Sequence, residues 1–375
     1  MIFLSHPHHR YTQDFHWLLD ALGQPCTRIH GDRATLAEFL PSLVHSPPRL
    51  LVLFQLEHLA PWCSQFCPVM LFPMYDCTRG TPDSFLRALG RVEWVSFSRS
   101  LHQRLRSLGL SSRHLRYAPD PDHYPEVSWR GGIRGYFWER TPEHLDRTAA
   151  GEIFRALGVE DFEVRRLEDQ DFAEHSSVVR RTAAEKSWEN HAAYLRHLQG
   201  FQVYLAPRRF EGLGLTFLEA MAMGMCVVAE NQPTAEEYIM AGLHGILYRG
   251  DDRGITLPRK FSVGELESMG RQARQHLRQL HREWRESRPV LAALAAHMMA
   301  TPYARSPQAP PGLLEATMNF QERPEQLRAM VAAPSGAIYR SSRQQADWGS
   351  WAGRLRTFLR RPREVLRQAL EREPR

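Results

Sequence analysis

The chain has 375 residues, of which 43% are hydrophobic, so its length favours two globular domains and its composition excludes wholesale disorder. The formal net charge of +6 is concentrated in residues 352–375, which hold eight Arg against three Glu. The other 351 residues carry 40 positive and 39 negative charges. Because that body is almost neutral, we do not expect it to bind nucleic acid.

Targeting and redox features indicate a cytoplasmic protein. No apolar run reaches the roughly 18 residues that span a bilayer, and no signal-peptide pattern opens the chain. The five cysteines are expected to be reduced thiols, since an odd count without a signal peptide is typical of the cytosol. Cys63 and Cys67 lack a second Cys or His pair, and the adjacent His8 and His9 would diverge on a strand, so we expect no metal site.

Residues 1–120 alternate short apolar runs with amphipathic stretches, which predicts a parallel sheet covered by helices. Strands are predicted at 2–5, 25–29, 50–54, 69–74 and 92–97, and helices at 13–22, 35–44 and 98–108. Three prolines and a Gly pair then interrupt the pattern over residues 118–132, and residues 121–132 of this stretch are predicted to link two domains.

A second alternation fills residues 133–300. Strands are predicted at 133–138, 162–167, 203–206, 226–229 and 246–248, and helices at 142–157, 188–198, 215–223, 236–241 and 263–299. Residues 301–375 are predicted to form a connector and a basic amphipathic helical tail. Arginines flank an apolar face within 348–375, which is compatible either with an anionic membrane surface or with packing on the first domain.

The most informative segment is residues 204–248, where a strand is followed by a glycine-containing loop and a helix. Gly212 and Gly214 leave backbone N–H groups accessible, and the helix N-terminus adds partial positive charge, so the loop could hold a phosphate. Glu211 and Glu219 lie eight residues apart, and Glu219 can reach back toward the loop. Acidic side chains bind ribose hydroxyls in dinucleotide sites, so the two glutamates are compatible with a nucleotide ligand at this loop. The alternative is that Glu219 is solvated and Glu211 caps the helix.

This segment resembles the signature of retaining nucleotide-sugar glycosyltransferases with the GT-B fold, the group 1 or family 4 type. The resemblance rests on Glu211-x7-Glu219 within P-x-x-x-EGLGLTFLEAMAMGMCVVA, on Glu236/Glu237 and on Gly245-Ile246-Leu247. It implies an α/β protein with two facing, doubly wound Rossmann-like domains and a helical C-terminal extension.

The resemblance also implies residue roles. Glu219 would bind the ribose of the donor nucleotide, and Glu211 would lie beside the transferred sugar. Backbone amides of a short run of residues would meet the sugar and the diphosphate: Gly212, Leu213, Gly214, Leu215 and Thr216. Arg140 matches the arginine that neutralises the diphosphate, but no lysine follows it, and His144, Arg147 or Lys186 could substitute.

The first domain matches this family less well. His6-Pro7-His8-His9-Arg10 replaces the Gly-rich loop after the first strand, and Tyr75-Asp76 stands where the family has His-Asp. Asp76 is therefore expected to face the cleft near the acceptor, while the sugar contact of the usual histidine is missing.

The resemblance implies transfer of a sugar from a nucleotide-diphosphate donor, UDP- or GDP-linked, to a hydroxyl of a saccharide or lipid-linked acceptor. No further cofactor or metal is expected. Bacterial surface polysaccharide, lipopolysaccharide or glycolipid synthesis is the expected context, with possible peripheral contact at the cytoplasmic membrane face. A sugar-nucleotide epimerase or hydrolase and a non-catalytic transferase partner remain alternatives, whereas a dehydrogenase is disfavoured because no G-x-G-x-x-G follows the first strand.

Overall fold

The computed structural model describes residues 1–6, 15–89, 91–140, 145–166, 190–251, 254–257, 259–306 and 309–332. Within these ranges the chain forms two six-stranded sheets, each covered by helices. The predicted α/β class and the two Rossmann-like domains are therefore confirmed.

The first sheet is parallel throughout, in the strand order β2-β1-β3-β4-β5-β6. Its strands are β1 (Ile2–Ser5), β2 (Thr27–His30), β3 (Leu51–Phe54), β4 (Val69–Phe72), β5 (Val92–Ser96) and β6 (Ser112–His114). Its helices are α1 (His16–Leu22), α2 (Arg33–Ser42), α3 (Ala60–Cys63), α4 (Tyr75–Thr78), α5 (Asp83–Ala88) and α6 (Arg99–Ser107). Every residue of β3, β4 and β5 is buried, as expected for strands covered on both faces.

The second sheet has the order β12-β11-β10-β9-β7-β8 and is parallel except for the β11–β12 pair. Its strands are β7 (Arg134–Glu139), β8 (Asp161–Arg166), β9 (Val203–Leu205), β10 (Cys226–Glu230), β11 (Gly245–Asp251) and β12 (Gly254–Thr256). The helices that follow β7 are α7 (Arg147–Ala156), α8 (His191–Leu198), α9 (Leu215–Ala222), α10 (Pro233–Glu236) and α11 (Val263–Ala300).

The 38-residue helix α11 connects the two domains. A capping box starts it, in which Ser262 accepts from the Glu265 N–H and the Glu265 carboxylate accepts from the Ser262 N–H. The helix packs on α9 and β10 of the second domain and on α1 of the first. The chain then returns to the first domain, where α12 (Leu313–Met318) packs on α2 and α3, and α13 (Pro324–Ala332) packs on α5.

One predicted helix is displaced. A helix was expected at 236–241, but α10 ends at Glu236, where the expected helix would begin. Pro233 starts it, because its fixed φ suits the first helical position, and the Gln232 side chain accepts from the Thr234 N–H. The helical extension is described only as far as residue 332, so the predicted tail helices at 348–375 lie outside the described residues. None of the described helices is long and apolar enough to cross a membrane.

Candidate active site

Each sheet has one switch point, at which later strands are added on opposite sides of an earlier strand. In the first sheet the chain moves from β1 to β2 on one side and to β3 on the other, and in the second it moves likewise from β7 to β8 and to β9. Ligands of open parallel sheets bind outside the carboxyl ends of the strands at such points. The predicted site residues follow the ends of β4, β7 and β9, so the fold brings them to this cleft.

The loop between β9 and α9 is shaped by its glycines. Gly214 is the N-cap of α9 with φ +75°, and a Cβ there would clash with the ring of Phe217. A Cβ on Gly212 would lie 2.8 Å from both Asp76 Oδ1 and Met74 Cβ, so this loop touches the first domain directly. Because α9 has no side-chain cap, its first N–H groups are available to a ligand.

Glu211 is buried, with only 7% of its surface exposed. Its backbone carbonyl accepts a 2.7 Å hydrogen bond from the Thr234 hydroxyl, which fixes the loop against α10. The N-cap position of α9 belongs to Gly214, so the predicted alternative of Glu211 as the capping residue is not what the structure shows. A buried carboxylate therefore stands one residue before the Gly212 contact.

Glu219 lies on the cleft side of α9 and is not solvated: 14% of its side chain is exposed, and Oε1 lies 2.7 Å from Nε2 of His191 on α8. Both residues line a pocket of about 170 Å³ together with Tyr124 and Leu215. Beneath them, burial raises the pKa of Tyr204 on β9, so this hydroxyl stays neutral. Glu219 is thus a partly shielded carboxylate that opens onto a small cavity, which suits recognition of neutral hydroxyls.

Asp76 faces the loop from the first domain. Its Oδ1 accepts from the Cys77 N–H at 3.0 Å, and its Oδ2 lies 3.5 Å from Nη1 of Arg208, the second residue after Ala206. Arg79, just after α4, stacks on Phe210 with its guanidinium carbon 3.8 Å from the ring centroid. The end of β4 and the loop between β9 and α9 are therefore in direct contact at three places.

Glu57 stands beside Asp76 at the same sheet end. It follows β3 and Gln55, whose φ of +57° is the one positive value among the described non-glycine residues. Glu57 Oε1 is buried and has no hydrogen-bond partner among the described residues. Burial, with a smaller contribution from Asp76, raises the pKa of Glu57 to about 7. Strained backbone and a shifted carboxyl are both features that cluster at functional sites.

The predicted cations are only partly described. Arg140 directly follows β7 and lies over Trp138, with its guanidinium carbon 4.5 Å from the ring centroid. Arg147 is exposed at the start of α7. His144 and Lys186, the other proposed substitutes for the missing lysine, lie outside the described residues, as do His8 and His9.

A larger cavity of about 690 Å³ adjoins the Glu219 pocket, and the two share Tyr124 and His191. Trp17 of α1 stacks on Tyr117 with ring centroids 3.8 Å apart, and Trp284 of α11 meets both rings edge-on. The two cavities together therefore extend from Leu215 and Glu219 on α9 to Trp284 on α11.

Three residues of this region were not predicted from the sequence. They are His191, Arg208 and Glu57. None belongs to a sequence motif, because the residue that each one contacts or faces, Glu219 for the first and Asp76 for the other two, lies in a different segment of the chain. Glu237, in contrast, belonged to the recognised pattern, and the structure shows that it joins the domains: its carboxylate lies 2.7 Å from His114 Nε2 and accepts from the Arg99 N–H.

Comparison with known proteins agrees with this geometry. The family model for glycosyl transferases group 1 matches residues 170–256, which include the loop between β9 and α9, Glu211 and Glu219. No curated protein matches. Together, the matched domain and the two-domain fold support a glycosyl-transferring enzyme.

Solved structures share the fold at low sequence identity. The chain is similar to sucrose-phosphate synthase from Thermosynechococcus elongatus, with 13% identity and a TM-score of 0.56, over 80% of this chain and 99% of that one. It is also similar to Anabaena HepE in complex with UDP-glucose, with 11% identity and a TM-score of 0.52, over 80% and 98% of the two chains. The arrangement of two facing Rossmann-like domains is thus the GT-B fold.

Proposed function

We propose that the protein is a retaining glycosyltransferase that moves a sugar from a nucleotide-diphosphate donor to a hydroxyl acceptor. The observation that carries this proposal is the placement of two glutamates around α9. Glu211 is buried just before the N-terminus of α9, which has no side-chain cap, and Glu219 on the same helix lines a small pocket. A helix N-terminus favours the diphosphate, and a shielded carboxylate favours the ribose diol.

Catalysis in this proposal is mainly electrostatic. Arg140 and the N–H groups from Gly212 to Thr216 stabilise the negative charge that develops on the leaving diphosphate. The acceptor oxygen bonds to the anomeric carbon on the face that the diphosphate leaves, and its proton passes to the departing phosphate oxygen. Glu211 lies beside the sugar, and Asp76 lies on the acceptor side. No metal or additional cofactor is proposed.

UDP is the proposed nucleotide and GDP the second choice. The structure of HepE, which has the same fold, holds UDP-glucose, and this supports a uridine donor here. The acceptor is proposed to be a saccharide or a lipid-linked saccharide, in bacterial surface polysaccharide, lipopolysaccharide or glycolipid synthesis in the cytoplasm. The arginine-rich residues 348–375 would then contact the cytoplasmic face of the membrane.

The two glutamates test the proposal separately. Loss of the charge-assisted hydrogen bonds of Glu219 in the Glu219→Gln variant removes roughly 1.5–3 kcal/mol, so donor affinity should fall by about 10–150-fold, toward the lower end because one acceptor oxygen remains. Glu211→Gln should mainly lower kcat, because Glu211 lies where charge develops. Glu160→Gln, at an exposed position before β8, is the matched control.

Donor binding is measured by thermal shift with UDP- and GDP-linked sugars, since a ligand of the native state raises its stability. Melting temperatures of the variants separate a lost site from a lost fold. If both glutamine variants bind donor and turn over like the parent, the assigned site is wrong. Product analysis without an acceptor distinguishes the remaining enzyme alternative, because an epimerase or a hydrolase needs no acceptor.

A further inference from the structure

The carboxylate of Asp76, in the first domain, contacts the loop between β9 and α9. One of its oxygens lies 3.5 Å from the Arg208 guanidinium, and the other lies against Gly212, where a Cβ would approach it to 2.8 Å. The side chains of Asp76 and Arg208 are only 17% and 21% exposed, so water screens this pair incompletely. A carboxylate of the first domain thus meets the cation and the backbone of the loop that is proposed to hold the donor diphosphate.

Arg140 and Arg208 follow neighbouring strands of the second sheet. The strands β7 and β9 pair in parallel with Tyr136 opposite Tyr204 and Phe137 opposite Leu205, and the same register, continued past this last pair, sets Arg208 opposite Arg140. Arg140 directly follows β7, and Arg208 is the third residue after β9. These ends flank the switch point of the second sheet. The next residue, Arg209, is committed elsewhere: it bonds Glu230 Oε1 at 2.8 Å and the Gly250 carbonyl at 2.7 Å.

We propose that Arg208 is the second cation of the donor site, in place of the missing lysine, and that Asp76 is its counter-ion until the diphosphate of the donor displaces it. The inference rests on the proposed function. A diphosphate carries more negative charge than one carboxylate and accepts more hydrogen bonds, so Arg208 gains by the exchange. Asp76 then competes with the donor, and removing its charge should tighten donor binding.

The experiment is isothermal titration of the full chain with UDP, UMP, uridine and inorganic pyrophosphate. Arg208→Gln should weaken the binding of UDP and pyrophosphate by about tenfold or more while leaving uridine unchanged, and Arg208→Lys should restore part of the loss. Asp76→Asn should tighten both by several-fold, but not when Arg208→Gln is already present. Arg209→Lys, in the same loop, is the control and should keep the ranking of the four ligands.

Two results would overturn the inference. Arg208→Gln could weaken uridine as much as UDP, which would mean that the arginine supports the fold of the loop rather than the phosphates. Asp76→Asn could leave UDP and pyrophosphate affinity unchanged, which would mean that the carboxylate does not compete. Failure of the parent to bind UDP in this titration and both UDP- and GDP-linked sugars in the thermal-shift assay would instead refute the proposed function, and pyrophosphate would still test Arg208 in that case. Melting temperatures of each variant confirm that the fold is retained.

Discussion

Glu57→Gln is expected to stabilise the protein, and to do so more at high pH than at low pH. Burial raises the pKa of Glu57 from 4.5 to about 7, so the folded state holds its proton more tightly than the unfolded state does. Below about pH 4.5 Glu57 is protonated in both states and does not lower the free energy of unfolding of the parent. As the pH rises from there through about 7, that free energy falls, because the unfolded state releases the proton more readily. Glutamine is neutral, has nearly the same shape and does not titrate.

The magnitude follows from the shift. A displacement of about 2.5 pKa units corresponds to about 3 kcal/mol at high pH, and about 2–3 kcal/mol of it develops between pH 5 and pH 8. At about 2 °C per kcal/mol for a chain of this size, the melting temperature of Glu57→Gln should gain about 5 °C on the parent over that interval. Glu38→Gln, on the exposed face of α2, controls for the loss of one carboxylate.

The assay is thermal unfolding of parent and variants in matched buffers across this pH range. A difference between Glu57→Gln and the parent that does not change with pH would refute the reasoning. In that case the carboxyl would be as well solvated, or as well bonded, in the folded chain as in the unfolded one.

Three other perturbations have definite expected outcomes. Gly212→Ala should lower turnover while the circular dichroism spectrum is retained, because the new methyl group would push the loop between β9 and α9 away from Met74 and Asp76. Gly270→Ala should lower the free energy of unfolding by about 1–3 kcal/mol in a denaturant titration, since its Cβ would collide with the Gly224 carbonyl. Gly264→Ala, on the same helix with open space around it, is the control and should be neutral or slightly stabilising. Truncation at residue 347 should abolish flotation with anionic liposomes, and an unchanged bound fraction would reject the membrane role.

The fold was predictable because parallel strands covered on both faces leave a strong signal. Runs such as residues 50–54 and 226–229 are apolar throughout, and helical stretches separate them, so the strand positions needed no tertiary information. The placement of Glu211 in the loop and of Glu219 on the helix was predictable for a related reason: strand, loop and helix are contiguous, so this placement is local.

The first-domain half of the site was less accessible to sequence analysis. Asp76 was placed near the cleft, but its contact with Arg208 joins residues 132 positions apart. The strain at Gln55 and the burial of Glu57 depend on the neighbouring strands rather than on any local pattern. The helix expected at 236–241 was misplaced for a local reason, since Gln232 and Pro233 start a helix earlier in the chain and that helix ends at Glu236.

The return of the chain to its first domain limits how the protein can be divided. Since α12 and α13 pack on α2, α3 and α5, an amino-terminal fragment that stops at the interdomain linker would leave the faces covered by those helices open to water. A fragment comprising only residues 133–300 would expose the face of α11 that covers α1. Separate expression of the first domain therefore requires residues 309–332 to be joined to its end by a short artificial connector. A circular permutation that opens the chain inside the second domain would instead keep both connections between the domains, the linker at 121–132 and the return through α11.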